Sequence, residues 1–226
     1  MSESPYTPSR ATIAYTAPFI AFIAVMALER VIPLPPHWLY PIRFSVVLVL
    51  ILAVSRPHLR FRPTYPLASV VLGLVVFVIW IAPDALFGYR DFWLFQNSLT
   101  GKAASSLQSH LKQNVPFIIM RCISSFALVP ILEELFWRGW MMRWLIDKEF
   151  LKVPLGTYQR AAFWIVAALF ASEHGPYWEV GLVAGILYNW WIVRTRNLAD
   201  CILAHGVTNA VLSAYVLFAD QWQYWL

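Results

Sequence analysis

Apolar runs long enough to cross a lipid bilayer recur along this chain, and they constrain its fold more than any other feature. A helix of about 17–20 apolar residues matches the hydrocarbon core of a bilayer, which is about 30 Å thick. The chain is 60% hydrophobic and only 13% charged over 226 residues, whereas soluble domains contain about 45–50% apolar residues. The sequence therefore excludes an ordinary soluble protein and predicts an integral membrane protein.

We predict one multi-pass membrane domain over residues 1–226, an all-α transmembrane bundle of about seven to eight helices, because a helix satisfies its own backbone hydrogen bonds in lipid. The first apolar run lacks a clear cleavage site for a signal peptidase, and we interpret it as a retained helix. A polar connection over 83–114 is predicted to lie outside the membrane and to contain an interfacial helix. The predicted spans are 11–29, 40–54, 67–82, 116–137, 161–174, 180–193 and 198–218.

Lysine and arginine gather on one side of these spans. Such residues are held back on the cytoplasmic side of a membrane, so the bias predicts a cytoplasmic N-terminus. Four basic residues fall on the opposite side, namely Arg30, Arg90, Lys102 and Lys112. The side we assign to the cytoplasm carries eleven of the seventeen: Arg10, Arg56, Arg60, Arg62, Arg138, Arg143, Lys148, Lys152, Arg160, Arg194 and Arg196. The net charge of +5 is therefore interpreted as membrane topology, and no nucleic-acid partner is expected.

The stretch ILEELFWRGWM places three charges within an apolar run. A charge at the bilayer centre costs about 2.5–3.5 kcal/mol on insertion scales, which makes it a candidate for function. Glu134 and Arg138 are four residues apart and share one helix face, so we predict a structural ion pair between them. Glu133 points away from Arg138 and remains an unpaired carboxyl, the kind of group that general base catalysis uses. The alternative is that all three only anchor the end of the helix.

Two histidines also lie in apolar surroundings, His174 in LFASEHG and His205 in ILAHGVTN. Each alone is more often a core histidine than a functional one, and polar pairs can simply join helices. Asn209 follows His205 by four residues and shares its helix face. A carboxyl, two imidazoles and an amide on three helices are the groups that could activate water and stabilise an oxyanion.

These segments resemble the CAAX-protease and bacteriocin-processing family of intramembrane endopeptidases. EELFWR fits the pattern EExxxR, FASEH fits FxxxH, and HGVTN fits HxxxN, in the family's order. The resemblance covers about residues 115–218, which we therefore expect to be the catalytic helices. The first three spans match only in being hydrophobic.

The resemblance implies an intramembrane protease that hydrolyses a peptide bond of a membrane-associated or lipidated protein or peptide. Glu133 and His174 would activate the attacking water, and His205 with Asn209 would hold the oxyanion. These four residues would line a cavity that opens toward the cytoplasm. The expected location is the inner, or plasma, membrane of a bacterium, with the lipid bilayer and the substrate as the partners.

We expect no cofactor. A glutamate and two histidines could also form a zinc site, but HExxH is absent and zinc needs its ligands around one centre at about 2 Å. We therefore favour a metal-free glutamic protease over a zinc-dependent metalloprotease. The same polar residues could also belong to a non-catalytic membrane protein for peptide binding or bacteriocin self-immunity. A proton-coupled transporter could use them as a relay, but the absence of an inverted repeat in the sequence disfavours it.

Some polar and aromatic residues are left out of the predicted site. Glu173 and Glu179 flank the Gly175-Pro176 break, and we interpret them as solvated residues near the far membrane surface. Asp200 is expected to cap the last span. The clusters WRGWMMRW and YNWWIVR are interpreted as interfacial aromatic belts.

Overall fold

A computed structural model describes residues 8–29, 31–32, 34–105 and 107–225 of the chain. The polar segment 1–7, which precedes the first predicted span, and Arg30, which enters the charge bias, lie outside the described residues.

Seven helices make up the described part of the chain, which confirms the all-α prediction. Its one β-bridge is an isolated pairing of Asn97 with Gly101. Helix α2 continues beyond its regular part through a π turn at Ile51–Ser55 and a 3₁₀ turn at Arg56–His58. The helices are α1 (Pro8–Leu28), α2 (Pro36–Leu50), α3 (Pro66–Phe87), α4 (Val115–Trp144), α5 (Arg160–Ser172), α6 (Trp178–Thr195) and α7 (Leu198–Phe218).

Five of these helices are long and apolar enough to cross a membrane, namely α1, α2, α3, α4 and α7. Five of the seven predicted spans therefore have the length and composition of a membrane-crossing helix. Helix α5 has 13 residues and is about 20 Å long at the helical rise, shorter than the hydrocarbon core. Helix α6 has 18 residues, but Glu179, Asn189 and Arg194 make it more polar than a typical span.

Helices that follow one another in the sequence run in opposite directions, and the two ends of the bundle differ chemically. We call one of them the basic end, since it carries Arg56, Arg60, Arg62, Arg160, Arg194 and Arg196. There α1 begins beside the end of α2, where Ser55 Oγ donates to Ala14 O at 2.6 Å. We call the opposite end the turn end, because it holds the α5–α6 turn (Glu173–Tyr177) and the connection 88–114.

The described residues of the connection 88–114 contain no interfacial helix of the kind predicted. They form a 3₁₀ turn at Tyr89–Asp91 followed by turns and irregular backbone. The connection also starts later than predicted, since Pro83 lies within the last turns of α3. Arg90 ties the connection to the bundle, because its buried guanidinium lies 3.2 Å from Asp84 and 2.8 Å from Glu179.

Helix α4 contains two π turns, Ser124–Leu128 and Leu135–Met141, and Glu133 and Glu134 lie between them. Pro130 has no backbone N–H, so it cannot donate to the carbonyl of Ser125 or Phe126 one turn earlier. Asn209 of α7 donates its side-chain Nδ2 to the carbonyl oxygen of Ser125 at 2.9 Å. Asn209, a residue of the predicted site, therefore bonds to the irregular backbone of α4. Such π turns are frequent at functional sites.

Two further expectations need correction. Asn197, rather than Asp200, caps α7, since its side chain accepts from the Ala199 amide at 3.0 Å. The aromatic clusters are also mostly internal, because Trp137 and Trp191 are buried. Trp190 is an exception, since its side chain is exposed. Trp191 Nε1 donates to Ser69 Oγ at 3.1 Å, so this ring serves packing between α6 and α3 rather than a membrane interface.

Candidate functional site

The bundle brings the four predicted catalytic residues to one cavity of about 220 Å³. Glu133 comes from α4, His174 from the turn that follows α5, and His205 and Asn209 from α7. Aromatic and small side chains complete the lining, among them Trp80, Phe170, Tyr177, Ala184, Tyr188 and Tyr224.

Arg138 packs against two residues that line this cavity, Phe170 and Tyr188. Its Nη1 lies 3.1 Å from Glu134 Oε1, the pair that the four-residue spacing predicts, and both side chains are fully buried. The Nε donates to Asn189 Oδ1 at 2.9 Å, and Nη2 donates to the carbonyl oxygen of Gly185 at 3.3 Å. The guanidinium also lies over the ring of Phe170, 4.5 Å from its centroid. A buried charge with this many partners is held in one position.

Glu134 forms a hydrogen bond with His205 as well as its ion pair with Arg138. His205 Nδ1 lies 2.9 Å from Glu134 Oε1, and the imidazole stacks on Tyr188 with 5.0 Å between ring centroids. A carboxylate paired with arginine only accepts hydrogen bonds, so Nδ1 carries the proton. His205 Nε2 then faces Glu133, with 3.9 Å to Glu133 Oε2. The contact of Glu134 with His205 was not predicted from the sequence.

His174 is oriented by the end of α5. Its Nδ1 lies 2.7 Å from the carbonyl oxygen of Phe170, which can only accept, so Nδ1 is the donor and Nε2 is free to accept. The ring packs against Phe170 and Trp80, with centroid distances of 4.7 and 5.3 Å. His174 therefore presents an acceptor nitrogen whose orientation is fixed.

Glu133 is the unsatisfied group of the cavity. Its Oε2 is buried and has no hydrogen-bond partner among the described residues, and a buried polar atom of that kind needs an explanation such as a catalytic role or a water. Asn209 gives one N–H of its amide to Ser125 O and keeps the second. A carboxyl, an imidazole acceptor and an amide donor therefore share one small cavity.

Glu173 also lines the cavity, which corrects its interpretation as a residue outside the site. Its Oε1 accepts from Trp137 Nε1 at 3.0 Å, so a residue of the EELFWR motif holds it in place. Asn189 and Tyr188 were missed too, because they lie in YNWW, which we interpreted as an aromatic belt. The asparagine within that apolar run was a usable signal, since a buried amide needs partners.

The cavity lies toward the turn end of the bundle. His174 and Tyr177 belong to the α5–α6 turn, and Tyr224 follows α7 at that same end. The resemblance implies a cavity open to the cytoplasm, whereas the charge bias places the basic end there. The two expectations disagree for this chain, because the cavity and the arginines are at opposite ends.

No group of three or more His, Cys, Asp and Glu side chains in the described ranges is arranged to hold a metal ion. The imidazole groups of the cavity are instead separately engaged, His174 with Phe170 and His205 with Glu134.

Comparison with protein families gives one finding. Residues 115–211 match the family described as type II CAAX prenyl endopeptidase Rce1-like. Comparison with curated proteins and with solved structures finds no significant match to this chain. The matched range starts at the first residue of α4 and ends within α7, so it contains all three motifs. Residues 115–211 of this integral membrane protein therefore match the Rce1-like family of proteases, in agreement with the resemblance of its three motifs.

Proposed function

We propose that this protein is an intramembrane glutamic endopeptidase that hydrolyses a peptide bond of a membrane-associated protein or peptide. The observation that carries the proposal is Glu133, a buried carboxyl with one oxygen unpartnered among the described residues, in a cavity shared with both histidines. The family's printed description adds prenylated C-terminal peptides as the first substrates to try.

In the proposed mechanism a water binds between Glu133 and Nε2 of His174. Glu133 takes a proton from the water as its oxygen adds to the scissile carbonyl carbon. The oxyanion receives hydrogen bonds from the second N–H of Asn209 and from His205, which enters the cycle as the imidazolium, with a proton bound from solvent, and donates through Nε2. Glu134 stabilises that imidazolium, and Arg138 holds Glu134 in place. As the intermediate collapses, the proton on Glu133 passes to the leaving amine.

The two residues of the EE pair thus have separate tasks in this proposal. Glu134 is the structural partner of Arg138 and His205, and Glu133 is the base. No step uses a metal ion. The N-terminus is proposed to be cytoplasmic, in the inner membrane of a bacterium, because the arginines of the basic end then lie in the cytoplasm.

The test is proteolysis by purified protein reconstituted in liposomes, with membrane-anchored peptides as substrates, prenylated and unprenylated. Glu133→Gln keeps the shape of the side chain but cannot act as a base, so cleavage should fall roughly 10²–10⁴-fold. Glu149→Gln is the matched control, since Glu149 is exposed in a loop and pairs only with Lys152 among the described residues. Chelation should leave wild-type cleavage unchanged.

Each other outcome contradicts part of the proposal. Loss of cleavage under chelation, with recovery on adding zinc, would identify a metalloprotease. Peptides that bind wild-type protein without being cut would favour a non-catalytic role in peptide binding or self-immunity. Full cleavage by Glu133→Gln would remove Glu133 from the mechanism.

A further inference from the structure

A second cavity, of about 940 Å³, lies at the basic end of the bundle, away from the proposed active site. We call it the basic cavity, and its polar lining is Tyr15, His58, Arg60, Arg62, Arg196 and Asn197. None of the described residues that line it is acidic. Its size falls within the range of about 300–1,000 Å³ that ligand sites occupy. Nothing in the proposed proteolytic mechanism uses it.

The segment that carries Arg60 and Arg62 is fixed to the start of α7 by two polar residues, Asp200 and Asn197. Asp200, which is fully buried, accepts from the amides of Thr64 and Tyr65 at 3.0 and 2.8 Å. Asn197 Nδ2 donates to the carbonyl oxygen of Arg62 at 2.9 Å. The carboxylate of Asp200 is thereby engaged by backbone amides rather than by guanidinium groups. The backbone between α2 and α3 is held while its arginine side chains remain exposed.

Arg196 enters the basic cavity from the other side, and its backbone is also constrained. It adopts a left-handed conformation with φ 52°, directly after α6. Its side-chain stem passes Gly156, where a Cβ would lie 2.9 Å from Arg196 Cγ and would collide with Ile192 O. Gly156 itself has φ +74°, a region that glycine adopts readily. No ion pair joins Arg60, Arg62 or Arg196 to an acidic residue in the described part of the chain.

The position of the basic cavity relative to the helix ends indicates the kind of ligand that could reach it. It lies where the α2 region ends at His58 and where α3 and α7 begin, at Pro66 and Leu198. The ends of membrane-crossing helices lie at the depth of the lipid headgroups. Basic pockets between helices at this depth are suited to anionic headgroups, and arginine binds phosphate oxygens through two parallel hydrogen bonds.

We propose that the basic cavity binds the headgroup phosphate of an anionic phospholipid through Arg60, Arg62 and Arg196. This site goes beyond the proposed protease function and does not depend on it. The bound lipid would lie at the junction of α2, α3, α6 and α7, and it would stabilise the contact between α3 and α7 on which the position of His205 also depends.

The test measures binding of phosphatidylglycerol to the purified full-length protein in detergent by native mass spectrometry, with phosphatidylcholine as the neutral lipid. The variant R60Q/R62Q/R196Q should bind phosphatidylglycerol at least tenfold more weakly than wild type. The control variant R56Q/R160Q/R194Q removes the same charge from exposed residues of the same end, outside the cavity. It should bind like wild type, and phosphatidylcholine should bind to no variant.

Three results would overturn the proposal. Equal losses in the two triple variants would reduce the effect to surface charge, and unchanged binding in both would remove these arginines from it. Displacement of the lipid by an equal concentration of inorganic phosphate would make the ligand a free anion. If R60Q/R62Q/R196Q does not give a monodisperse protein, R60Q/R62Q against R56Q/R160Q provides the same comparison with two charges removed.

Discussion

Arg138 is fully buried, and its contacts determine where two other side chains of the site point. It holds Glu134, which in turn holds His205, so a chain of three side chains links α4 to α7. Asn189 completes the arrangement from α6, because its Oδ1 accepts from Arg138 while its Nδ2 donates to the carbonyl oxygen of Phe163 at 2.8 Å. A buried arginine is stable only when its donors are satisfied in this way.

We predict that Asn189→Leu destabilises the protein. Leucine has a similar volume but leaves Arg138 Nε and Phe163 O without partners, and a hydrogen bond to a charged group contributes about 1.5–3 kcal/mol. Thermal unfolding in detergent should therefore shift down by roughly 3–10 °C. The matched control is Trp190→Leu, the next residue on α6, whose side chain is exposed; it should unfold near the wild-type temperature. Equal unfolding temperatures for Asn189→Leu and wild type would show that Arg138 finds other partners.

The spacing of residues in the sequence predicts contacts within one helix but not contacts between helices. Glu134 and Arg138 are close in sequence, so helix geometry alone pairs them. Asn189 lies 51 residues from Arg138, and His205 lies 71 residues from Glu134, and no periodicity within one helix reports such contacts. Glu173 is exposed at the end of α5, as expected, but its contact with Trp137 of α4 was missed for the same reason.

At the scale of helices, the close approach of α3 and α7 positions the second histidine. Gly73 of α3 lies so near α7 that a Cβ there would collide with Ala204 O and would lie 2.8 Å from Val207 Cβ. Thr208 Oγ1 donates to the carbonyl oxygen of Gly73 at 2.9 Å and bonds Tyr188 OH, the ring on which His205 stacks. A small residue at such a contact lets two membrane helices approach closely.

We predict that Gly73→Val lowers both stability and proteolytic activity. Overpacking a helix contact costs about 1–3 kcal/mol, and separation of α3 from α7 would displace Thr208 and with it Tyr188 and His205. Ala68→Val is the control, because it enlarges the side chain by two methyl groups at an exposed position of the same helix. Both unfolding temperature and cleavage rate should be measured. An active, stable Gly73→Val protein would mean that the contact of α3 with α7 does not position the site.

Helix boundaries were predictable where apolar composition and turn residues agree, as at the start of α7 after Asn197. They were not predictable at Pro83, which the end of α3 tolerates, or in 88–114, where polar and apolar residues alternate at helical spacing without forming a helix. Ion pairs of Arg90 with Asp84 and Glu179 hold that connection, and these long-range contacts decide its conformation.

For the whole molecule, the opposite placement of the arginines and the active-site cavity leads to a prediction about orientation. If the basic end is cytoplasmic, as the charge bias indicates, the cavity faces the other side of the membrane. A cysteine at Leu99, which is 93% exposed in the connection 88–114, should react with an impermeant thiol reagent on intact cells. A cysteine at Lys152, which is exposed near the basic end, should react only after permeabilisation.

The wild-type chain serves as the control for this labelling, because Cys201 is buried and Cys122 is partly buried within α4. The reverse labelling pattern would place the N-terminus outside and the cavity toward the cytoplasm. The labelling therefore decides whether the basic end or the cavity faces the cytoplasm. It also identifies the side of the membrane from which a substrate would enter the cavity.

The shortness of α5 affects the surrounding bilayer. A helix of 13 residues packs against α6 and against α4, which is 30 residues long, so lipids beside α5 must compress or water must descend toward His174 at its end. Hydration of the scissile bond is then a property shared by the protein and its lipids. Lipids with short acyl chains would relieve this mismatch, and thick, ordered membranes would increase it. The rate of the proposed hydrolysis would therefore depend on the thickness of the membrane.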